Sequence, residues 1–94
     1  MRIAHKNYGM SIDVTRAQTT LTGRVAEEIR VVMTRRRFSG ARLAKELGVS
    51  PAWISYRLTG TQPIDLNDLE RIATALGVKV ADLFPRADRE ATVT

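Results

Sequence analysis

Apolar residues along this chain return at helical intervals after a polar, aperiodic start. Residues 1–19 mix Gly, Asn, Ser and Thr without a period and read as a flexible arm, with Met10 inside it as an alternative start. From Thr20 onward Leu21, Val25, Ile29, Val32 and Met33 recur at steps of three and four, which predicts a first helix over 20–36. Thr20 or Thr22 can cap its start. Glu27 and Glu28 lie early and Arg35, Arg36 and Arg37 late, the polarity that a helix dipole favours.

Three more elements follow by the same reading. Ser39 can N-cap a second, short helix whose inward face is Leu43, Ala44 and Leu47. Gly48 then stands where a helix takes a left-handed terminator. Ser50 caps a third helix with Pro51 at its first position, where a missing N–H costs nothing. Ile54 and Leu58 are its inward pair, and Gly60 ends it. Beyond the Gln62–Pro63 loop, Asp65 caps a fourth helix with the stripe Leu66, Leu69, Ile72, Ala73 and Leu76, stopped by Gly77. Val80, Ala81, Leu83 and Phe84 predict a last helical turn or two before Pro85, and residues 85–94 read as a frayed tail. No strand is needed, so the fold class is all-α.

Composition narrows the function. The 94 residues make one domain. Fifteen Lys and Arg against ten Asp and Glu give a net +5, which favours a polyanionic partner. Residues 1–21 carry +2, residues 22–60 carry +5 and residues 61–94 carry −2, so the middle of the chain holds the positive potential. The absence of Cys removes disulfides, thiolate zinc sites and cysteine nucleophiles, and it fits a reducing compartment. His5 is the lone histidine and has no partner for a metal site or a triad. Asp65, Asp68 and Glu70 stand where a helix start attracts anions, so they read as a cap and not a carboxylate site. With no nucleophile, base or metal cluster, an enzyme is excluded, and neither a cofactor nor a small-molecule ligand is indicated. No apolar run approaches the ~18 residues of a membrane span. The opening MRIAHKNYGMSIDVT lacks the apolar core of a secretory signal, so a soluble intracellular domain is expected.

The stretch GARLAKELGVSPAWISYRL, residues 40–58, is the most informative. Two short helices are joined by Gly48, Val49 and Ser50. The small Ala44 lets them approach closely, Gly48 permits a tight turn, and Val49 can plug the corner beneath it. Ile54 lands on the core of Leu43 and Leu47. A DNA-binding helix-turn-helix requires this arrangement, its second helix projecting into the major groove.

Through the Leu43-Ala44 pair, the Leu47-Gly48-Val49-Ser50 turn, Ile54, Leu58-Thr59-Gly60, and Leu69…Ile72-Ala73…Leu76-Gly77-Val78, the sequence resembles the XRE-type helix-turn-helix family, the phage repressor and Cro class. The resemblance covers about 22–84, and PAWISYRLTGTQPIDLNDLERIATALGV is most similar to actinobacterial and actinobacteriophage members. It implies a compact five-helix bundle over 20–84, a lambda-repressor-like DNA-binding domain. It also implies double-stranded DNA as partner, often a homodimer on paired half-sites, and a cytoplasmic, nucleoid-associated place in a bacterium or phage-infected host. The recognition helix would be about 51–59. Its outward Pro51, Ala52, Ser55, Tyr56 and Thr59 would meet base edges or the groove. Ser39, Gly40, Arg42, Arg57, Thr61, Gln62 and Arg37 would meet phosphates, Thr61 and Gln62 through backbone N–H groups.

Several of these positions carry a plainer reading beside the functional one. Arg35-Arg36-Arg37 either grips phosphates or satisfies a helix C-terminus. Lys45 is a second possible phosphate contact on the second helix, and Trp53 is a packing residue or a groove contact. Arg2, His5, Lys6 and Arg16 of the arm enter a minor groove or do nothing. The sequence also departs from the family. Gly40 replaces a frequent Gln, leaving only its backbone N–H for a phosphate. Arg57 takes a usually aliphatic position, where Trp53 can stack on its guanidinium. Met33 and Leu58 occupy the positions of an Arg–Glu pair found in some relatives, which predicts an apolar contact instead. The function implied is a sequence-specific transcriptional regulator of repressor type. The alternatives are an antitoxin-type module that binds a partner protein and autoregulates, and a nucleoid-type binder without sequence preference.

Overall fold

The computed structural model describes residues 20–86. The arm over 1–19, with its basic residues, and the tail beyond residue 86 lie outside them. In chain order the elements are α1 (Leu21–Arg35), α2 (Gly40–Leu47), α3 (Pro51–Leu58), α4 (Leu66–Leu76) and a single-turn 3₁₀ helix (Val80–Leu83).

Each α-helix starts on a side-chain cap that accepts a backbone N–H otherwise left without a partner. Thr20 Oγ1 takes the Gly23 N–H at 2.9 Å and Ser39 Oγ that of Arg42 at 3.0 Å. Ser50 Oγ takes the Trp53 N–H at 3.1 Å and Asp65 Oδ1 that of Asp68 at 2.7 Å. The helices end alike, on a left-handed residue that folds the chain back onto the last turn. At α2, for example, the Val49 N–H reaches the Ala44 carbonyl at 3.0 Å. Three of these terminators are glycines, but at the end of α1 it is Arg37, with φ 56°.

The interior joins Val25, Ile29, Val32 and Met33 of α1 to Leu43, Ala44 and Leu47 of α2, Ile54 of α3, and Leu69, Ile72, Ala73 and Leu76 of α4. Leu83 of the 3₁₀ turn completes it. Helix α3 packs on α1 and α2, α4 packs on α2, and the 3₁₀ turn bridges α1 and α4. No polar or charged side chain is buried among the described residues.

Three expectations are corrected here. The bundle has four α-helices and a 3₁₀ turn among the described residues, not five helices. Pro85 pushes Phe84 to extended backbone (φ −87°, ψ 144°), so the last segment closes one tight turn and stops. Leu21 and Leu66 belong to the predicted inward stripes yet are 48% and 75% exposed. Helical side chains lean toward the N-terminus, so a residue in the first turn overhangs the end of the bundle. Leu58, the partner expected for Ile54, is half-buried.

Met33 and Leu58 line one hollow between the ends of α1 and α3. Met33→Leu is expected to change stability by less than about 1.5 kcal/mol, because it conserves volume. Met33→Arg, which forces a charge into a buried position beside a hollow that Arg30 and Arg37 already line, should cost at least about 2 kcal/mol. Urea midpoints of the two variants check this, and a better-tolerated Met33→Arg would rule out the apolar pairing.

Candidate nucleic-acid interface

Helices α2 and α3 meet across a three-residue turn. Gly48 adopts φ 71°, which a side chain would strain, and Val49 sits half-buried in the corner. The pair is also tied from outside. The last carbonyls of a helix have no partner within it. Arg71 of α4 donates Nη2 to the carbonyl of Leu47, the last residue of α2. Arg30 of α1 donates Nη1 to the carbonyl of Leu58, the last residue of α3. A guanidinium at each helix end also suits the dipole. Arg71 is steadied in turn by Asp68 at 3.2 Å. The sequence reading missed both arginines, because partners 24 and 28 residues away leave no local pattern.

The pinned α3 exposes Pro51, Ala52, Ser55, Tyr56 and Thr59, none of them charged. Ala52, Ser55, Tyr56 and Thr59 share one side by helical spacing. Tyr56 is 53% exposed, a large apolar ring offered to solvent. The Thr59 hydroxyl is partly committed: it donates to the Tyr56 carbonyl at 3.1 Å and lies 2.8 Å from Thr61 Oγ1.

The structure brings some phosphate candidates to the rim of α3 and turns others inward. Arg37 and Ser39 line the hollow that reaches Leu58, at the C-terminal end of α3. Gly40 opens α2 with its backbone against α3, where an added Cβ would lie 3.9 Å from Ile54 Cγ2. Exposed Arg42 holds its guanidinium 4.0 Å from the Phe38 ring centroid, so it is preset near the start of α2. Ser39 Oγ accepts the cap bond and keeps its own hydrogen to donate.

Arg57 is different. Its guanidinium lies 3.8 Å from the Trp53 ring centroid, the stack read from the sequence, and Nη1 donates to the Trp53 carbonyl at 3.2 Å. A phosphate would have to draw it off that ring. Thr61 and Gln62 need a correction, because their N–H groups both donate to the Tyr56 carbonyl, at 3.0 and 3.1 Å. The left-handed Gly60 folds them back onto α3, so only their side chains face outward. The arginine run divides as well. Arg36 Nη1 comes within 3.4 Å of where a Cβ on Gly77 would sit, at the C-terminus of α4. Lys45 is exposed on α2.

Arg37 holds a conformation that L-residues avoid, at a cost of about 1–2 kcal/mol. Arg37→Gly is therefore expected to raise stability by about 0.5–1 kcal/mol, after the greater freedom of glycine in the unfolded chain is deducted. The thermal midpoint checks the sign, and a lower midpoint would mean that the arginine side chain holds the turn together.

Among the described residues no cluster of His, Cys, Asp and Glu can hold a metal ion, and no helix is long and apolar enough to cross a membrane. A short helix with an exposed, uncharged face, set by a glycine turn against a helix that carries exposed Arg42 in its first turn, defines a helix-turn-helix module. The chain belongs to a helix-turn-helix domain family, whose model matches residues 24–84. No curated protein and no solved structure matches it.

Proposed function

We propose that this protein is a sequence-specific transcriptional regulator of the phage repressor and Cro class, binding double-stranded DNA with α3 in the major groove. The observation that carries the reading is the exposed, uncharged face of α3, with Arg37 and Ser39 lining the hollow at its C-terminal end and Arg42 exposed in the first turn of α2. Pro51, Ala52, Ser55, Tyr56 and Thr59 meet base edges or the groove wall. Arg37, Arg42, Ser39, the Gly40 N–H and the side chains of Thr61 and Gln62 meet phosphates. Arg57 joins them only by leaving Trp53. Repression is steric: a bound protein occupies the stretch of duplex that polymerase needs.

So small a surface gives one half-site modest affinity, and a homodimer on two half-sites supplies the rest. Val80, Leu83, Phe84 and the neighbouring edge of α4 are the apolar surface for such a dimer, and of these Leu83 is fully buried whereas Val80 and Phe84 are half-buried. Selection from a random duplex pool at near-physiological salt tests the reading. A palindromic motif with half-sites about one helical turn apart is the expected result. Binding without enrichment would make the protein a nucleoid-type binder. No binding at all would favour the antitoxin-type reading, in which a partner protein is the ligand.

A further inference from the structure

Resting on that placement of α3 in the major groove, we infer that the recognition face reads thymine methyl groups, so that the half-site is specified by A·T pairs and carries no essential G·C pair. The side chains that α3 offers decide which bases it can tell apart. Guanine is singled out by Arg or Lys on O6 and N7, adenine by Asn or Gln on N6 and N7, and cytosine by a carboxylate on its amino group. None of these stands on the outward face, whose exposed residues are Pro51, Ala52, Ser55, Tyr56 and Thr59. The one guanidinium on α3 belongs to Arg57, and it is drawn back onto Trp53 at 3.8 Å and bonded to the Trp53 carbonyl.

Hydroxyls do not supply the missing code. Thr59 spends its hydrogen on the Tyr56 carbonyl. Ser55 and Tyr56 can each donate or accept, so they satisfy any base without choosing one. What remains is hydrocarbon: the pyrrolidine of Pro51, the methyl of Ala52 and the 53%-exposed ring of Tyr56. Among the four bases only thymine presents a methyl group in the major groove, on C5. The exposed Gln62 side chain just beyond α3 adds to the same preference if it reaches a base, since its amide suits the adenine paired with thymine.

The test changes the DNA and leaves the full-length protein intact. The probe is the duplex recovered from the random pool, with each half-site thymine replaced in turn by deoxyuridine, which deletes the methyl and keeps the base pair. Anisotropy titrations at fixed salt should show about fourfold weaker binding per contacted methyl, the worth of one buried methyl group. Ala52→Gly should abolish the sensitivity at one of these positions and leave it at another. A recovered half-site with indispensable G·C pairs, or equal affinity for the thymine and deoxyuridine duplexes, overturns the inference while the DNA-binding reading stands. Absence of any duplex binding, even at low salt, overturns both.

Discussion

Leu43→Ala is expected to lower folding stability by about 2–5 kcal/mol, the cost of a buried leucine truncated where its surroundings cannot collapse. Leu43 is 0% exposed and sits in α2, with Ala44 beside it at 2% and Ile54 of α3 at 2% in the same interior. The total stability of such a domain is on the order of 5–15 kcal/mol, so one substitution removes a large share of it. With a urea dependence of about 1–3 kcal/mol per molar, the midpoint should fall by roughly 1 M or more. Leu66→Ala is the control. It deletes the same atoms from a residue 75% exposed and should stay within about 0.5 kcal/mol. Equal midpoints for the two variants would mean that α2 does not pack as the structure has it.

The contrast between those leucines shows what the sequence can and cannot carry. Periodicity marks a stripe, and the interior stripe residues Val25, Ile29, Leu43, Leu69, Ile72 and Leu76 are all buried. It does not mark where the opposing surface ends, and so Leu21 and Leu66 read as core. Caps were legible because each is a local bond between a side chain and a backbone N–H three residues on, as at Ser39 and Ser50. The glycine stops were legible for a similar reason, since they mark a backbone conformation that other residues resist. Arg37 in a left-handed terminator was not, because arginine carries no such signal. The clamps by Arg30 and Arg71 were also invisible, since they depend on which helix ends come together in space. Around α3 the sequence named the exposed residues. Only the structure separates a hydroxyl or guanidinium that faces outward from one spent on the fold, as Thr59 and Arg57 are.

That separation yields the second large effect, on DNA affinity. Each phosphate neutralised by a cation contributes a log–log salt slope of about −0.9 on duplex DNA. If Arg37 and Arg42 each engage one phosphate in both protomers of a dimer, about four contacts give a slope near −3.6. Affinity should then fall on the order of 100-fold between 50 and 200 mM salt. Arg42→Ala should make the slope shallower by about 0.9 for each protomer bound, weakening binding to all sequences alike. Arg36→Ala should leave it unchanged, since that guanidinium lies beside Gly77 at the end of α4. Adjacent in sequence, Arg36 and Arg37 thus predict opposite outcomes, and a simple pull of net charge could not produce that difference. If Arg36→Ala and Arg37→Ala flattened the slope equally, the phosphate surface would extend past the start of α2 to the C-terminal end of α4. The frame proposed around α3 would then be too small.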